Sequence, residues 1–233
     1  MAPYRIGREM NQLFTAILAA AVFTVPLASL AQSPQSPQGD AKAGQTKNAM
    51  CIGCHGIKGY QASFPEVYKV PMISGQSAAY MAAALQAYKK GERKHPTMRS
   101  IAATLTDQDI ADLTAYYSGH GAVGDGALPD KPSKEPDAQV QALLNKANCA
   151  SCHGANFSKP IDPTYPKIGG QHADYLFVAL KAYKMDTNPS AGRVHPIMGA
   201  MAKQYTNAEL KLMANYLASL EGDLKVVSQS RFR

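Results

Sequence analysis

Two short clusters of cysteine and histidine are the residues whose types and spacing could do chemistry. Each has the form Cys-x-x-Cys-His; the residues are Cys51, Cys54 and His55, and Cys149, Cys152 and His153. Two thiols at this spacing can reach the two vinyl groups on one side of a porphyrin. The following histidine then lies under the ring, where its imidazole can bind the iron. This pattern is typical of c-type haem attachment and predicts two covalently bound haem c groups.

Other uses of these cysteines fit the sequence less well. Zinc needs four ligands around one ion, and each cluster supplies three. A thioredoxin-like Cys-x-x-Cys would need a βαβ context, which the sequence does not predict. Four cysteines in an exported chain could form two disulfides, but each pair is followed at once by histidine. We therefore expect haem.

The clusters belong to a duplicated sequence. Three motifs recur in order: Cys-x-x-Cys-His-Gly at 51–56 and 149–154, Pro-x-Ile-x-Gly-Gln at 71–76 and 166–171, and Arg-x-His-Pro-x-Met at 93–98 and 193–198. Solenoid proteins need several short repeats, whereas this chain has two long ones. The pattern indicates two similar domains, each with one haem.

The third motif offers two candidates for the second ligand of each iron. Met98 and Met198 recur at matched positions, and a thioether opposite histidine raises the reduction potential. His95 and His195 recur three residues earlier and would lower the potential as ligands. The position of Met98 and Met198 in the loop before the last helix of each half favours methionine as the second iron ligand. The sequence alone leaves histidine open as the alternative.

Arg93 and Arg193 precede these histidines by two residues. A guanidinium at this place could pair bidentately with a haem propionate. The alternative is an exposed charge in solvent, which would contribute little. The sequence leaves these alternatives open.

Helical patterns dominate each half. Tyr80, Ala84, Leu85 and Tyr88 have helical spacing, and equivalent residues recur in the second half. Helix starts are indicated by Asp40 and Asp137 as N-caps and by Thr-x-x-acid capping boxes at 106–109 and 206–209. No segment shows sustained strand alternation, so the predicted fold class is all-α.

The ends and the middle of the chain differ from the repeats in composition. Residues 1–31 open with arginines, continue as an uncharged run and end in small residues, which predicts a signal peptide; a retained membrane anchor is the alternative. The predicted segments are 1–31 signal peptide, 32–37 flexible N-terminus, 38–120 first domain, 121–135 linker, 136–221 second domain and 222–233 a loose tail. The signal peptide predicts export to the periplasm.

Composition excludes some classes of protein. Hydrophobic residues make up 45% of the 233 residues, which is enough for a buried core and too many for a disordered chain. The formal net charge is +7, but the basic residues are spread along the sequence rather than massed in a patch. We therefore expect no nucleic-acid partner.

Taken together, the three duplicated motifs resemble those of the cytochrome c4 family, exported di-haem cytochromes c. The resemblance covers nearly all of 38–221 and implies two tandem class I cytochrome c domains, each a few helices around one haem. It implies iron ligation by His55 with Met98 and by His153 with Met198. It also implies that the carbonyls of Pro71 and Pro166 accept hydrogen bonds from the proximal imidazoles. Together with Arg93 and Arg193, these prolines are the residues expected to support the haem sites.

The resemblance further implies an electron carrier of the respiratory chain rather than an enzyme. The expected partners are redox proteins: quinol–cytochrome c reductase or another donor, and a terminal oxidase as acceptor. A loose association with the membrane surface is left open. Two alternatives remain: a haem subunit of a larger periplasmic oxidoreductase, for example in sulfur-compound oxidation, and a di-haem peroxidase, which would need one open iron.

Overall fold

A computed structural model describes residues 37–121, 128–185 and 188–228 of the chain. These residues form five helices in each half. The helices are α1 Ala41–Lys47, α2 Ala49–His55, α3 Ala78–Lys90, α4 Pro96–Thr104, α5 Asp107–Gly119, α6 Ala138–Ala147, α7 Ala150–His153, α8 Ala173–Ala182, α9 Pro196–Ala202 and α10 Asn207–Ala218. The all-α prediction is confirmed. The predicted signal peptide lies outside the described residues, as do most of 32–37, residues 122–127 of the linker and 229–233 of the tail.

Four two-residue strands add little regular structure but connect important segments. They are β1 Gln61–Ala62, β2 Tyr68–Lys69, β3 Arg93–Lys94 and β4 Gly192–Arg193. β1 and β2 form an antiparallel hairpin within the first half. β3 and β4 pair antiparallel across the two halves, with Arg93 opposite Arg193. The two halves are therefore joined at the duplicated motif that carries the candidate methionines.

The predicted helix starts are confirmed. The Asp40 carboxylate accepts from the amides of the first turn of α1, and Asp137 does the same for α6. Both capping boxes are complete, with Thr106 and Asp109 starting α5 and Thr206 and Glu209 starting α10. These caps begin the helices that enclose each core, because α5 packs on α1 and α3, and α10 packs on α6 and α8.

Each half has its own hydrophobic core, and the two cores differ in size. The second-half core includes Leu144, Leu176 and Leu210, and Cys149 packs against it. The first-half core is smaller, being centred on Met81, Leu113 and Tyr117 with Cys51 packed beside it. The attachment cysteines thus lie at the edge of a core in both halves. Within the described residues, no helix is both long and apolar enough to cross a bilayer.

The prediction of a loose tail after Glu221 is wrong for residues 222–228. Leu224 is buried. The Lys225 amide donates to the Ser74 carbonyl at 3.0 Å, and the Ser228 hydroxyl donates to the Gly56 carbonyl at 3.0 Å. The segment therefore leaves the second half and lies against the first. The two hydrogen bonds use backbone carbonyls of the first half, which the residue types do not reveal.

Gly44 gives a test of the packing between α1 and α5. A Cβ added there would lie 2.1 Å from the backbone oxygen of Asp112, which cannot move aside as a side chain could. We expect Gly44→Ala to lower the free energy of unfolding by about 1–3 kcal/mol, the usual cost of overpacking. Denaturant unfolding of the holo-protein measures it.

Gly119→Ala is the matched control, because a Cβ at this helical position meets nothing within 4 Å. Removing the flexibility of glycine from a helix should leave stability equal or raise it by about 0.5–1 kcal/mol. Equal unfolding midpoints for Gly44→Ala and the wild type would contradict the described helix packing.

Candidate haem-binding sites

Each histidine of a Cys-x-x-Cys-His motif is fixed by a proline carbonyl. His55 donates its Nδ1–H to the Pro71 carbonyl at 2.8 Å, and His153 donates to the Pro166 carbonyl at 2.9 Å. His55 is the last residue of α2 and His153 is the last residue of α7, so each helix fixes the backbone from which the imidazole projects. With Nδ1 protonated and engaged, Nε2 is left as the basic nitrogen that can bind iron.

Burial shapes the chemistry of both motifs. Desolvation lowers the pKa of His55 and His153, although the bonds to the proline carbonyls oppose this. Burial, with a smaller effect of the neighbouring cysteine, raises the pKa of Cys51 to about 11. Burial also raises the pKa of Cys149 to about 11. A neutral imidazole can bind iron, and half-buried thiols beside it can be attached to an apolar ring that packs on the core. These residues therefore fit a c-type haem.

His95 and His195 both have a structural task in this fold. The Nδ1 atom of His95 accepts from the Met98 amide at 3.3 Å, and that of His195 accepts from the Met198 amide at 3.2 Å. Each histidine thereby caps the helix that Pro96 or Pro196 begins. The same capping bond fixes the backbone of the methionine, whose side chain is half-buried. His95 also contributes to the lowered pKa of His55, so this loop lies within electrostatic reach of that imidazole.

Arg93 and Arg193 lie together in a cluster of tyrosines between the halves. Arg93 Nη1 donates to the Tyr80 hydroxyl at 3.4 Å, and its Nη2 donates to the Tyr175 hydroxyl at 3.4 Å. Arg193 Nη2 donates to the same Tyr175 hydroxyl at 3.1 Å. Arg93 is only 9% exposed, so the alternative of a solvated surface charge is wrong for this residue.

This arginine–tyrosine cluster has an excess of positive charge. Among the described residues, no carboxylate lies within 4.0 Å of either guanidinium, and Arg93 Nε has no hydrogen-bond partner. Burial alone would raise the pKa of Tyr175, but the charges of Arg193 and Arg93 outweigh it and lower that pKa to about 8. A buried site of this kind favours an anion, and the propionates of a haem are anions.

Sequence reasoning did not give a role to Gln76 and Gln171. Both are buried, and each bonds to the backbone of the other half. Their position as the last residue of a duplicated motif was the available signal, because a polar side chain kept at the same place in both repeats needs a partner. The contact between repeats could not be derived from the sequence of either one.

Comparison with known proteins identifies the fold and the cofactor. The family model for cytochrome c matches residues 41–119 and 138–221. The chain therefore belongs to the cytochrome c family, and it carries two covalently bound haem c groups at its two Cys-x-x-Cys-His motifs. This match excludes the zinc, thioredoxin and disulfide alternatives.

Individual relatives confirm the resemblance to cytochrome c4. The chain is 28% identical to cytochrome c4 of Pseudomonas aeruginosa over 91% of this chain and 100% of that protein. The crystal structure of reduced recombinant cytochrome c4 from Pseudomonas stutzeri matches with a TM-score of 0.54 and 27% identity, covering 78% of this chain and 100% of that one. The fold is thus two tandem cytochrome c domains, and the chain is a di-haem electron-transfer protein rather than an enzyme.

A relative of a different name is also similar. The thiosulfate dehydrogenase electron acceptor of Stutzerimonas stutzeri is 26% identical over 84% of this chain and 94% of that protein. The similarity to cytochrome c4 and to this electron acceptor supports interaction with redox proteins in general. It does not identify a particular partner.

The arginine–tyrosine cluster gives a stability test. Arg93→Lys removes the planar fork that reaches two hydroxyls and the stacking on Tyr88, whose ring centre lies 4.7 Å from Cζ. We expect the free energy of unfolding of the holo-protein to fall by about 1–3 kcal/mol. Arg99→Lys, at an exposed position, should stay within about 0.5 kcal/mol of the wild type. Equal losses for both variants would contradict the described cluster.

Proposed function

We propose that this chain is a periplasmic carrier that passes single electrons between respiratory redox proteins, with both irons closed by histidine and methionine. The observation that carries the proposal is the matched pair of His/Met loops: His95 and His195 cap their helices and thereby fix Met98 and Met198. A closed iron exchanges electrons but offers no position to a substrate.

The ligand set proposed for the first domain is His55 with Met98, and that for the second is His153 with Met198. Cys51, Cys54, Cys149 and Cys152 would form the thioethers. The bonds from the two histidines to Pro71 and Pro166 support this assignment, since they orient each imidazole and raise its basicity. The haem iron supplies one-electron redox chemistry when bound.

Arg93 and Arg193 would serve the haem propionates. Their support is the buried cluster in which two guanidiniums share the Tyr175 hydroxyl and no carboxylate among the described residues pairs with them. A guanidinium beside a buried propionate would offset part of the free-energy cost of burying that anion. Because the two guanidiniums lie in one cluster, their charges would act on both haems.

The proposed partners are a quinol–cytochrome c reductase or another donor, and a terminal oxidase as acceptor. The predicted signal peptide over 1–31 supports the periplasm as the location. The predicted domains at 38–120 and 136–221 and the linker at 121–135 remain proposals. The similarity to a thiosulfate dehydrogenase electron acceptor favours a second candidate, in which the donor is a sulfur-oxidising enzyme.

Replacing each methionine tests the closed irons. Axial ligands set haem potentials over a range of about 0.8 V, so Met98→Ala should lower the potential of one haem enough to separate it from the other. The same variant should bind carbon monoxide at one iron, and Met198→Ala should do so at the other. Optical redox titration and carbon monoxide difference spectra measure both effects.

Two variants control this test. Met201→Ala removes a methionine that packs on the second-half core and should change stability without opening an iron. His195→Ala removes the helix cap, costing about 1 kcal/mol, and should leave the iron closed. Carbon monoxide binding to His195→Ala but not to Met198→Ala would assign the ligand to histidine and contradict the proposal.

The carrier role is tested by mixing holo-protein with candidate partners. We expect both haems to be reduced by quinol–cytochrome c reductase and reoxidised by a terminal oxidase in stopped-flow measurements. Reduction by thiosulfate dehydrogenase alone would favour the second candidate. Catalysed consumption of hydrogen peroxide would show an open iron and contradict the carrier role.

A further inference from the structure

Two buried glutamines connect the halves by reciprocal hydrogen bonds. Gln171 donates its Nε2 to the Met72 carbonyl at 2.9 Å and accepts at Oε1 from the Met72 amide at 3.1 Å. Gln76 donates to the Lys167 carbonyl at 2.9 Å and accepts from the Lys167 amide at 3.0 Å. Each side chain thus holds both backbone groups of one residue in the opposite half. We call these four residues the glutamine clasp.

The residues held by the clasp are next to the prolines that orient the histidines. Met72 directly follows Pro71, whose carbonyl accepts from His55. Lys167 directly follows Pro166, whose carbonyl accepts from His153. Since one peptide unit joins the proline carbonyl to the amide that the glutamine holds, the position of each carbonyl depends on the other half of the molecule.

The glutamines are themselves rigidly held. Gln76 is 4% exposed and Gln171 is 3% exposed, so water cannot replace their bonds. Each Oε1 also accepts from the next backbone amide in its own half: Ser77 donates to Gln76, and His172 donates to Gln171, both at 2.9 Å. Because each glutamine side chain is buried and makes three hydrogen bonds, it is restricted to a single conformation.

We propose that Gln76 and Gln171 are positioning residues that set the reduction potential of the haem in the opposite half. The proposal rests on the proposed ligation of iron by His55 and His153. A strong bond from Nδ1–H to the proline carbonyl makes the imidazole more basic, which favours ferric iron. Loosening the clasp weakens that bond and raises the potential of the haem across the interface.

A merely structural clasp makes a different prediction. If the glutamines only joined the halves, removing one would lower stability and affect both haems alike or neither. If each glutamine acted within its own half, through Ser77 or His172, the change would occur in the same half. The crossed effect is specific to positioning across the interface.

The test is an optical redox titration of holo-protein carrying Gln171→Leu or Gln76→Leu. Leucine has nearly the same length and lacks both hydrogen-bonding groups. Gln171→Leu should raise the potential of the first-domain haem and leave the second unchanged, and Gln76→Leu should do the reverse. Gln141→Leu, at an exposed helix position of the second half, should change neither.

The two haems are told apart by repeating each titration in the Met98→Ala background, where the first-domain haem is marked by its own lowered potential. If Met98→Ala moves neither potential, the proposed ligation fails, independently of the clasp. A second measurement needs no marker: hydrogen exchange at the imidazole Nδ1–H, followed by nitrogen-15 NMR. Exchange at His55 should become at least severalfold faster in Gln171→Leu, with His153 unchanged.

If a leucine variant does not fold, Gln171→Met or Gln76→Met replaces it. Methionine is neutral and similar in length, and it lacks the amide that holds the backbone of the other half. The same crossed shift in potential is expected. Equal shifts in both haems, a shift confined to the substituted half, or no shift in either would overturn the proposal.

Discussion

The bond from the imidazole of His55 or His153 to a proline carbonyl is the contact on which the arrangement depends. It leaves Nε2 as the nitrogen that can bind iron, and it connects a short helix bearing the attachment cysteines to a loop that has no regular structure of its own. The residue after each proline is held by hydrogen bonds to a glutamine side chain from the other half, and this fixes the position of the loop. In the proposed ligation, the orientation of each histidine therefore depends on the association of the two halves.

The positive charge of two arginines between the halves also links the haem sites to the association of the halves. Two arginines approach each other through the β3–β4 pair, surrounded by tyrosines, and share one hydroxyl. Bringing two cations into a buried site is costly unless anions join them. The propionates of the two haems would supply that charge, so cofactor incorporation and interface formation would stabilise each other.

Much of the local structure could be predicted because it follows from local chemistry. The caps at Asp40 and Asp137, the capping boxes and the Cys-x-x-Cys-His motifs depend on residues within a few positions of one another. What could not be predicted are contacts between repeats: the β3–β4 pair, the glutamine clasp and the return of residues 222–228 to the first half. In each of these contacts at least one partner is a backbone group, which every residue carries, so residue type does not reveal which residues meet.

The most direct test of the account is an optical redox titration of the wild-type holo-protein, combined with haem content and carbon monoxide binding. The account predicts two haems per chain, both titrating at high potential and neither binding carbon monoxide, because methionine closes each iron opposite histidine. A haem at much lower potential would indicate histidine as the second ligand in that half. Carbon monoxide binding at either iron would show an open site, and either result would contradict the account.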